Sequence, residues 1–346
     1  MISKALIQEA ILAAMSTGAD FAEVFYEHTE NHSINMLDDH VRNIDDGTIC
    51  GVGIRAYSGF RATYGSTSDL SYDSVIRCAK SVAWALMEGK ASINPKNLEE
   101  RIFPNIHPIK VVPSTAGLKK KIDILKSGYD SAKNRDSKII QVTGTLLDVD
   151  RNIVVANSEG LYTSDRQIRT RMMIRSVASA NGENQTGGCA PGRSMGLELF
   201  EDVVDPVEVG RHASDVALEN LKGTYCKAGT YTVAIENGFG GVIFHESCGH
   251  SLDASSVAFG ASEFCGKIGQ VIANPKDTAI DDGTIPNAWG SVNIDDEGIP
   301  TQKKILIEKG VLKRYMVDRL NGRRMNMASS GSSRRQNYSF EPTSRM

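Results

Sequence analysis

The sequence lacks a strong excess of charge of either sign, long apolar runs and an N-terminal export signal, and each absence excludes a class of protein. Its 346 residues carry a net charge of −3 at pH 7, so nothing indicates binding to nucleic acid or to an acidic membrane surface. One of the longer apolar runs, Ala10–Met15, is far too short to span a membrane. The N-terminus has no basic region followed by an apolar segment and a cleavage site. We therefore expect a cytoplasmic protein that neither binds nucleic acid nor enters a membrane.

Paired cysteines are also missing. The six cysteines are scattered along the chain without the spacing of a disulfide framework or a zinc knuckle. Most of them are therefore predicted to be small buried hydrophobic residues. Cys248 and Cys265 are treated separately because they lie within and just beyond the motif that carries the chemistry.

That motif is His245-Glu246-Ser247-Cys248-Gly249-His250, directly after the apolar run Val242–Phe244. Two neutral imidazoles on neighbouring turns can hold a zinc ion, and a Glu beside the first can accept a proton from the attacking water. The histidines are five residues apart rather than four, which on a regular helix would turn the second one roughly 140° away from the first. Gly249 could relax this by unwinding or bulging the turn. The motif predicts a zinc site on a locally distorted helix; the alternative is a surface helix with two incidental histidines.

The residues around this motif extend the interpretation. The stretch Glu236–His250 resembles the active-site helix of the TldD/PmbA family of metallopeptidases. Similarity to that family's N-terminal and C-terminal domains is found in Ala19–Val24, Gly51–Arg55, Ser68–Leu70, Asp281–Pro286, Asp295–Thr301 and Ile305–Lys313. The resemblance covers nearly the whole chain. It implies that His245 and His250 are metal ligands and that Glu246 is the catalytic residue.

Two departures from the family concern the same site. Asp253 stands where the family usually has a Glu, three residues after the second His. The family's third zinc ligand is a Cys in a stretch that would follow Met346, so the resemblance supplies no third ligand here. Cys265 or Glu263 could in principle close a substitute site, provided that it met tetrahedral geometry.

The resemblance implies a hydrolase, namely a zinc-dependent protease acting on unfolded or small peptides, and a homodimer or a heterodimer with a related subunit. Extended peptides in such grooves are usually held by pairing to a strand edge. The alternative is a catalytically silent, truncated peptide-binding subunit of a TldD/PmbA-type complex. A structural zinc site is disfavoured, because such sites have four protein ligands and are commonly rich in Cys.

The predicted fold class is α+β, with N-terminal helix-plus-antiparallel-sheet modules followed by a mostly β C-terminal metallopeptidase domain. Composition and turn signals divide the chain into a module at 1–90, a Pro-rich linker at 91–112, a central module at 113–223 and the C-terminal domain at 224–346.

Hydrophobic periodicity and capping residues predict the individual elements. Helices are expected at about 3–17, from Leu70-Ser71 to before Gly89, at Leu118–Asn134, and from a cap at Asp205 to Gly223. Strands are expected at Phe21–His28, Ser33–Ile44, Thr48–Tyr57, Lys138–Val149, Asn152–Ala156, Gln167–Ala180 and Tyr231–Ile235, with turns at Asp46-Gly47 and Ser58-Gly59. Finally, Arg323-Arg324 and Arg334-Arg335 are expected to be solvated or paired with carboxylates.

Overall fold

A computed structural model of the chain describes residues 2–86 and 94–345. The helices are α1 (Lys4–Ala14), α2 (Tyr72–Leu86), α3 (Leu118–Lys133), α4 (Leu199–Asp202), α5 (Pro206–Asn220), α6 (Val242–Phe244), α7 (Ala254–Val257) and α8 (Arg319–Met325). The strands are β1 (Phe21–Leu37), β2 (His40–Ser58), β3 (Arg61–Thr67), β4 (Glu99–Glu100), β5 (Ile139–Asn157), β6 (Leu161–Ala180), β7 (Glu183–Cys189), β8 (Gly192–Arg193), β9 (Ala279–Asp282), β10 (Lys303–Glu308), β11 (Val311–Leu312), β12 (Ser333–Arg334) and β13 (Thr343–Ser344). The predicted α+β class is confirmed.

One sheet dominates the described part of the chain. Its strands follow the order β3-β2-β1-β5-β6-β4, and both β7 and β8 also pair with β6. All pairs are antiparallel except the short β4–β6 pair. The junction between β1 and β5 runs from Glu23 opposite Asn157 to Leu37 opposite Thr143. The N-terminal and central parts of the chain therefore share one continuous sheet.

The strands are longer than predicted, because three of the expected breaks, at 29–32, at Asp46-Gly47 and at 150–151, do not occur. The turn between β1 and β2 lies at Asp38 and Asp39, which have positive φ values of 52° and 61°. The predicted turn at Asp46-Gly47 is wrong, since Gly47 pairs with Asn31 inside the strand. The Asp-Gly dipeptide suggested a turn, but Asp tolerates the left-handed conformation well enough to form this one without Gly. Likewise, β5 continues through Asp150 and Arg151, where a gap was expected.

Helices α1 and α2 cover one face of the sheet. Ala22, Val24 and Tyr26 of β1 point into the core that these helices share with the sheet. The five residues predicted as the apolar stripe of α2 are all buried: Val75, Ala79, Val82, Ala83 and Leu86. The predicted end of this helix at Gly89 lies outside the described residues. Because side chains alternate along a strand, Glu23, Phe25 and Glu27 point to the opposite face, toward the C-terminal part of the chain.

A second core lies under α3 and α5, which pack on β5, β6 and β7. The predicted cap of α5 is confirmed, because the Asp205 carboxylate accepts the backbone N–H of Val207. The two helices approach closely at Gly128 and Gly210. A Cβ atom on Gly210 would lie 1.9 Å from the Gly128 carbonyl oxygen, so only glycine fits at this crossing.

The C-terminal part, from residue 224 onward, has short elements and a third core built from α7, β10 and the segment 315–317. The predicted strand at Tyr231–Ile235 is wrong: these residues form no ladder with any described strand, and Tyr231, Val233 and Ile235 are exposed. An extended segment counts as a strand only when a neighbour pairs with its backbone. Within residues 2–86 and 94–345, every helix is too short or too polar to cross a membrane.

Candidate metal centre

The histidine motif lies on a chain of short helical turns rather than on one regular helix. A 3-10 turn at Gly238–Gly241 leads into α6, which is followed by a π-helical turn at His245–Gly249 and another 3-10 turn at His250–Leu252. The backbone N–H of His250 donates to the carbonyl oxygen of His245. This i→i+5 hydrogen bond widens the turn and stacks the fifth residue above the first. The local distortion expected from the sequence is therefore present.

Gly249 does not provide this distortion through an unusual backbone conformation. Its φ and ψ are −55° and −56°, which lie in the ordinary right-handed helical region and are open to any residue. Gly249 is instead a buried residue of the turn. The expectation that the backbone freedom of Gly249 could relax the turn is thus corrected.

The π-helical turn brings all three predicted site residues together. One ligand atom each from His245, Glu246 and His250 lies within 4.8 Å of the others. The two imidazole rings are 4.3 Å apart between centroids at an interplanar angle of 68°. Glu246 Oε2 lies 4.0 Å from His250 Nε2. Glu246 is exposed and both histidines are half-buried, so the cluster faces solvent.

These donors suit a zinc ion in an open site. Two imidazoles and a neighbouring carboxylate are ligand types that zinc binds, and catalytic zinc sites leave one position for water or substrate. The ligand atoms lie within 4.8 Å of one another, so His245 and His250 are the residues that would hold the ion. Neither Cys265 nor Glu263 belongs to this group in the described part of the chain. Cys265 instead directs its thiol toward the Val257 carbonyl oxygen, at 3.5 Å.

Asp253 and Arg345 contact the far side of the second histidine. His250 Nδ1 lies 3.5 Å from Asp253 Oδ2 and 3.2 Å from Arg345 Nη1. Burial raises the pKa of the Asp253 carboxyl to about 6, and His250 and Arg345 oppose that rise. A proton on Nδ1 that is donated to Asp253 leaves Nε2 free to bind a metal, which is how carboxylates orient histidine ligands. The Arg345 guanidinium can only donate, so in this tautomer it makes no hydrogen bond with Nδ1. Asp253, which stands where the family usually has a Glu, thus still places a carboxylate next to His250.

A buried ion network between the sheet and the C-terminal part was missed by the sequence interpretation. Arg55 bridges Glu23 at 2.8 Å and Glu297 at 2.7 Å, and all three side chains are buried. Arg335 also binds Glu23, at 3.1 Å. Of the two expectations for the C-terminal arginines, pairing with carboxylates is confirmed for Arg335. The sequence feature that could have indicated this network is Glu23, a charged residue within the otherwise apolar first residues of β1.

Comparison with known proteins places this geometry in context. The sequence model of the PmbA/TldA metallopeptidase C-terminal domain matches residues 228–346, which include the three site residues. The models of the central domain and of domain 1 match residues 112–221 and 22–85. Together they cover most of the chain.

Individual relatives point to the same group. The "Metalloprotease TldD homolog" of Haemophilus influenzae is 31% identical over 94% of this chain and 69% of its own length. The "Zinc metalloprotease TldD homolog" of Saccharolobus solfataricus is 24% identical over 95% of this chain and 71% of its own. The chain thus spans about 70% of these relatives.

Two crystal structures share the fold at low sequence identity. One, from Bacteroides thetaiotaomicron, is described as a candidate modulator of DNA gyrase; its TM-score is 0.79 at 20% identity, covering 95% of this chain and 76% of that one. The other is TldE from Thermococcus kodakarensis, with a TM-score of 0.72 at 17% identity, covering 99% of this chain and 75% of that one. At these identities the likeness establishes the fold alone.

Proposed function

Because the chain belongs to the PmbA/TldA metallopeptidase family, we propose that it is a zinc-dependent peptidase in which His245 and His250 hold the metal and Glu246 is the catalytic base. The observation that supports this most is the π-helical turn, which stacks two histidines that a regular helix would separate. Such turns are rare and occur frequently at functional sites, which favours a metal site over a surface helix with incidental histidines.

The chemistry follows from the positions of these side chains. Zinc held by the two imidazoles would supply Lewis acidity to a peptide carbonyl and lower the pKa of a water molecule to about 7. Glu246 is exposed beside the histidines, so its carboxylate can accept the proton of that water as the oxygen bonds to the carbonyl carbon. Glu246 then returns the proton to the amine nitrogen as the C–N bond breaks. Asp253 holds the His250 ring in orientation throughout.

The substrates proposed are unfolded or small peptides. Several apolar side chains in the segment that leads to the histidines are exposed: Tyr231, Val233, Ile235, Phe239 and Ile243. Exposed apolar surface of this kind suits contact with another chain. Tyr231–Ile235 also leaves its backbone without a strand partner among the described residues, so an extended peptide can pair with it.

The proposed assembly is a homodimer or a heterodimer with a related subunit, in the cytoplasm. The structure of TldE has a similar fold, which is compatible with a related protein as the second subunit. The second candidate function, a catalytically silent peptide-binding subunit, is favoured by one observation. In the described part of the chain, neither Cys265 nor Glu263 joins the metal cluster to give it a third ligand of the kind expected from the sequence.

The test is cleavage of an unfolded protein substrate, such as reduced and alkylated casein, by the zinc-supplemented chain. Cleavage should stop with a chelator and in Glu246→Gln, and should persist in Glu219→Gln, an exposed glutamate on α5. Binding of the substrate without turnover would instead assign the chain to the silent class. Cleavage that persists in Glu246→Gln would remove Glu246 from the mechanism.

A further inference from the structure

A cavity lined by arginines lies on the face of the sheet that the C-terminal part covers. Its volume is about 250 Å³, and its lining includes Arg151 and Arg169 from the sheet and Arg334 from β12. The carboxylates in the lining are Glu27 and Asp296. None of these residues belongs to the histidine cluster, and neither the fold nor the proposed peptidase mechanism uses them as a group.

Both carboxylates are already engaged by Arg151, and Arg335, the fourth arginine of the lining, is ion-paired with Glu23. Arg151 donates from Nε to Glu27 at 3.1 Å and from Nη1 to Asp296 at 3.0 Å. Asp296 also accepts the backbone N–H of Arg335, at 2.8 Å. The cavity therefore has few acceptors left for the other two guanidinium groups.

Among the described residues, neither Arg169 nor Arg334 forms an ion pair with a carboxylate, although Arg334 helps to lower the pKa of Asp296. Among residues 2–86 and 94–345, Arg334 has as side-chain partner only the adjacent Ser333 carbonyl oxygen, at 3.0 Å, and Arg169 has no hydrogen bond or ion pair through its side chain. The Nε atom of Arg169 is buried and unpartnered, as is Nη2 of Arg151. Buried donors in folded proteins are almost always satisfied by protein, water or ligand, so unpartnered donors on two residues that line one cavity favour an acceptor there.

The electrostatics of Arg169 agree with this geometry. Burial, followed by repulsion from Arg151 and Arg334, lowers the pKa of its guanidinium to about 10, and Asp296 and Asp165 only partly oppose this. Asp165 is itself occupied by hydrogen bonds from Asn293 and Gln167. An additional negative charge in the cavity would therefore stabilise the arginines.

We propose that this cavity binds a small oxyanion, with phosphate or carboxylate chemistry, through Arg169, Arg334 and the free edge of Arg151. Guanidinium groups bind such anions with paired, charge-assisted hydrogen bonds. The volume equals that of roughly eight water molecules at about 30 Å³ each, which is enough for phosphate or a short dicarboxylate. This inference does not depend on the peptidase proposal.

The test is thermal unfolding with increasing inorganic phosphate or succinate at constant ionic strength, with chloride as the balancing anion. The His245→Ala background is used so that an anion cannot act through a bound metal. A saturable rise in Tm is expected with at least one probe, and the probe that gives it identifies the anion class. Adding Arg169→Gln should weaken the apparent affinity at least tenfold, whereas Arg175→Gln, an exposed arginine on the same strand, should leave it unchanged.

Two results would overturn the proposal. One is a Tm that does not saturate with either probe, which would mean that water alone solvates the arginines. The other is an identical response in the Arg169→Gln and Arg175→Gln proteins. If Arg169→Gln does not fold, Arg334→Gln replaces it, since Arg334 is half-buried and lacks an ion pair among the described residues.

Discussion

The backbone N–H of His250 donates a hydrogen bond to the carbonyl oxygen of His245, five residues earlier in the chain. This single bond explains how histidines at a spacing that is wrong for an α-helix share one site. Histidines four residues apart lie on the same side of a regular α-helix, whereas histidines five residues apart lie on the same side of a π-helical turn. The account therefore predicts that the histidines and Glu246 act as a unit.

Glu246→Gln should separate metal binding from catalysis. The variant keeps the shape of the side chain but removes the proton acceptor, so peptide cleavage should fall by about 10²–10⁴-fold while zinc stays bound to the histidines. Zinc content and cleavage are measured on the same preparation. Loss of zinc in this variant would show that Glu246 is a ligand rather than the base.

Asp253→Asn should weaken metal binding without removing a metal ligand. Asp253 lies 3.5 Å from His250 Nδ1, and loss of such an orienting carboxylate typically costs about 10–100-fold in metal affinity. The measurement is a competitive zinc titration against a chromogenic chelator, with the exposed Asp277→Asn as the control. Equal affinities in the two variants would mean that Asp253 does not orient His250.

Arg55→Met should strongly destabilise the protein. It leaves Glu23 and Glu297 buried with one cation fewer between them, and removal of one partner from a buried ion pair costs about 3–5 kcal/mol. Arg42→Met removes an exposed pair with Asp38 and should cost about 0–1 kcal/mol. Urea unfolding gives both free energies; a similar small loss in both variants would contradict the assigned role of Arg55.

The position of the first hairpin turn can be tested with two substitutions. Asp39→Gly should stabilise the protein by about 0.5–1 kcal/mol, because Asp39 has a φ of 61° and glycine adopts such angles without strain. Gly47→Thr should be tolerated or mildly stabilising, since Gly47 lies within β2 and a Cβ there meets no atom within 4 Å. Marked destabilisation by Gly47→Thr would contradict this position and favour a turn at Asp46-Gly47.

The sequence predicted best those features that depend on neighbouring residues. The apolar stripe of α2 and the Asp205 cap of α5 are local patterns, and both are present. The clustering of His245, Glu246 and His250 is local too, so spacing and residue type sufficed to expect it together with a distorted helix. The turn at Asp38-Asp39 was not predicted, because two aspartates are a weaker turn signal than the nearby Asp-Gly.

Long-range features could not be predicted in the same way. The pairing of β1 with β5 joins residues more than a hundred positions apart, and no periodicity encodes it. The ion pair of Arg55 with Glu297 likewise connects two distant segments, which read separately as a strand and a loop. The strand predicted at Tyr231–Ile235 is absent for the same reason. Alternating apolar and polar residues favour a strand, but they do not show whether another strand is available to pair with it.

The most direct measurement is the zinc content of the purified chain, compared with His245→Ala and with His212→Ala, which removes an exposed histidine on α5. The account predicts about one zinc per chain in the wild type and in His212→Ala, and none in His245→Ala. Wild-type protein that binds no zinc after supplementation, or equal zinc in all three proteins, would contradict it.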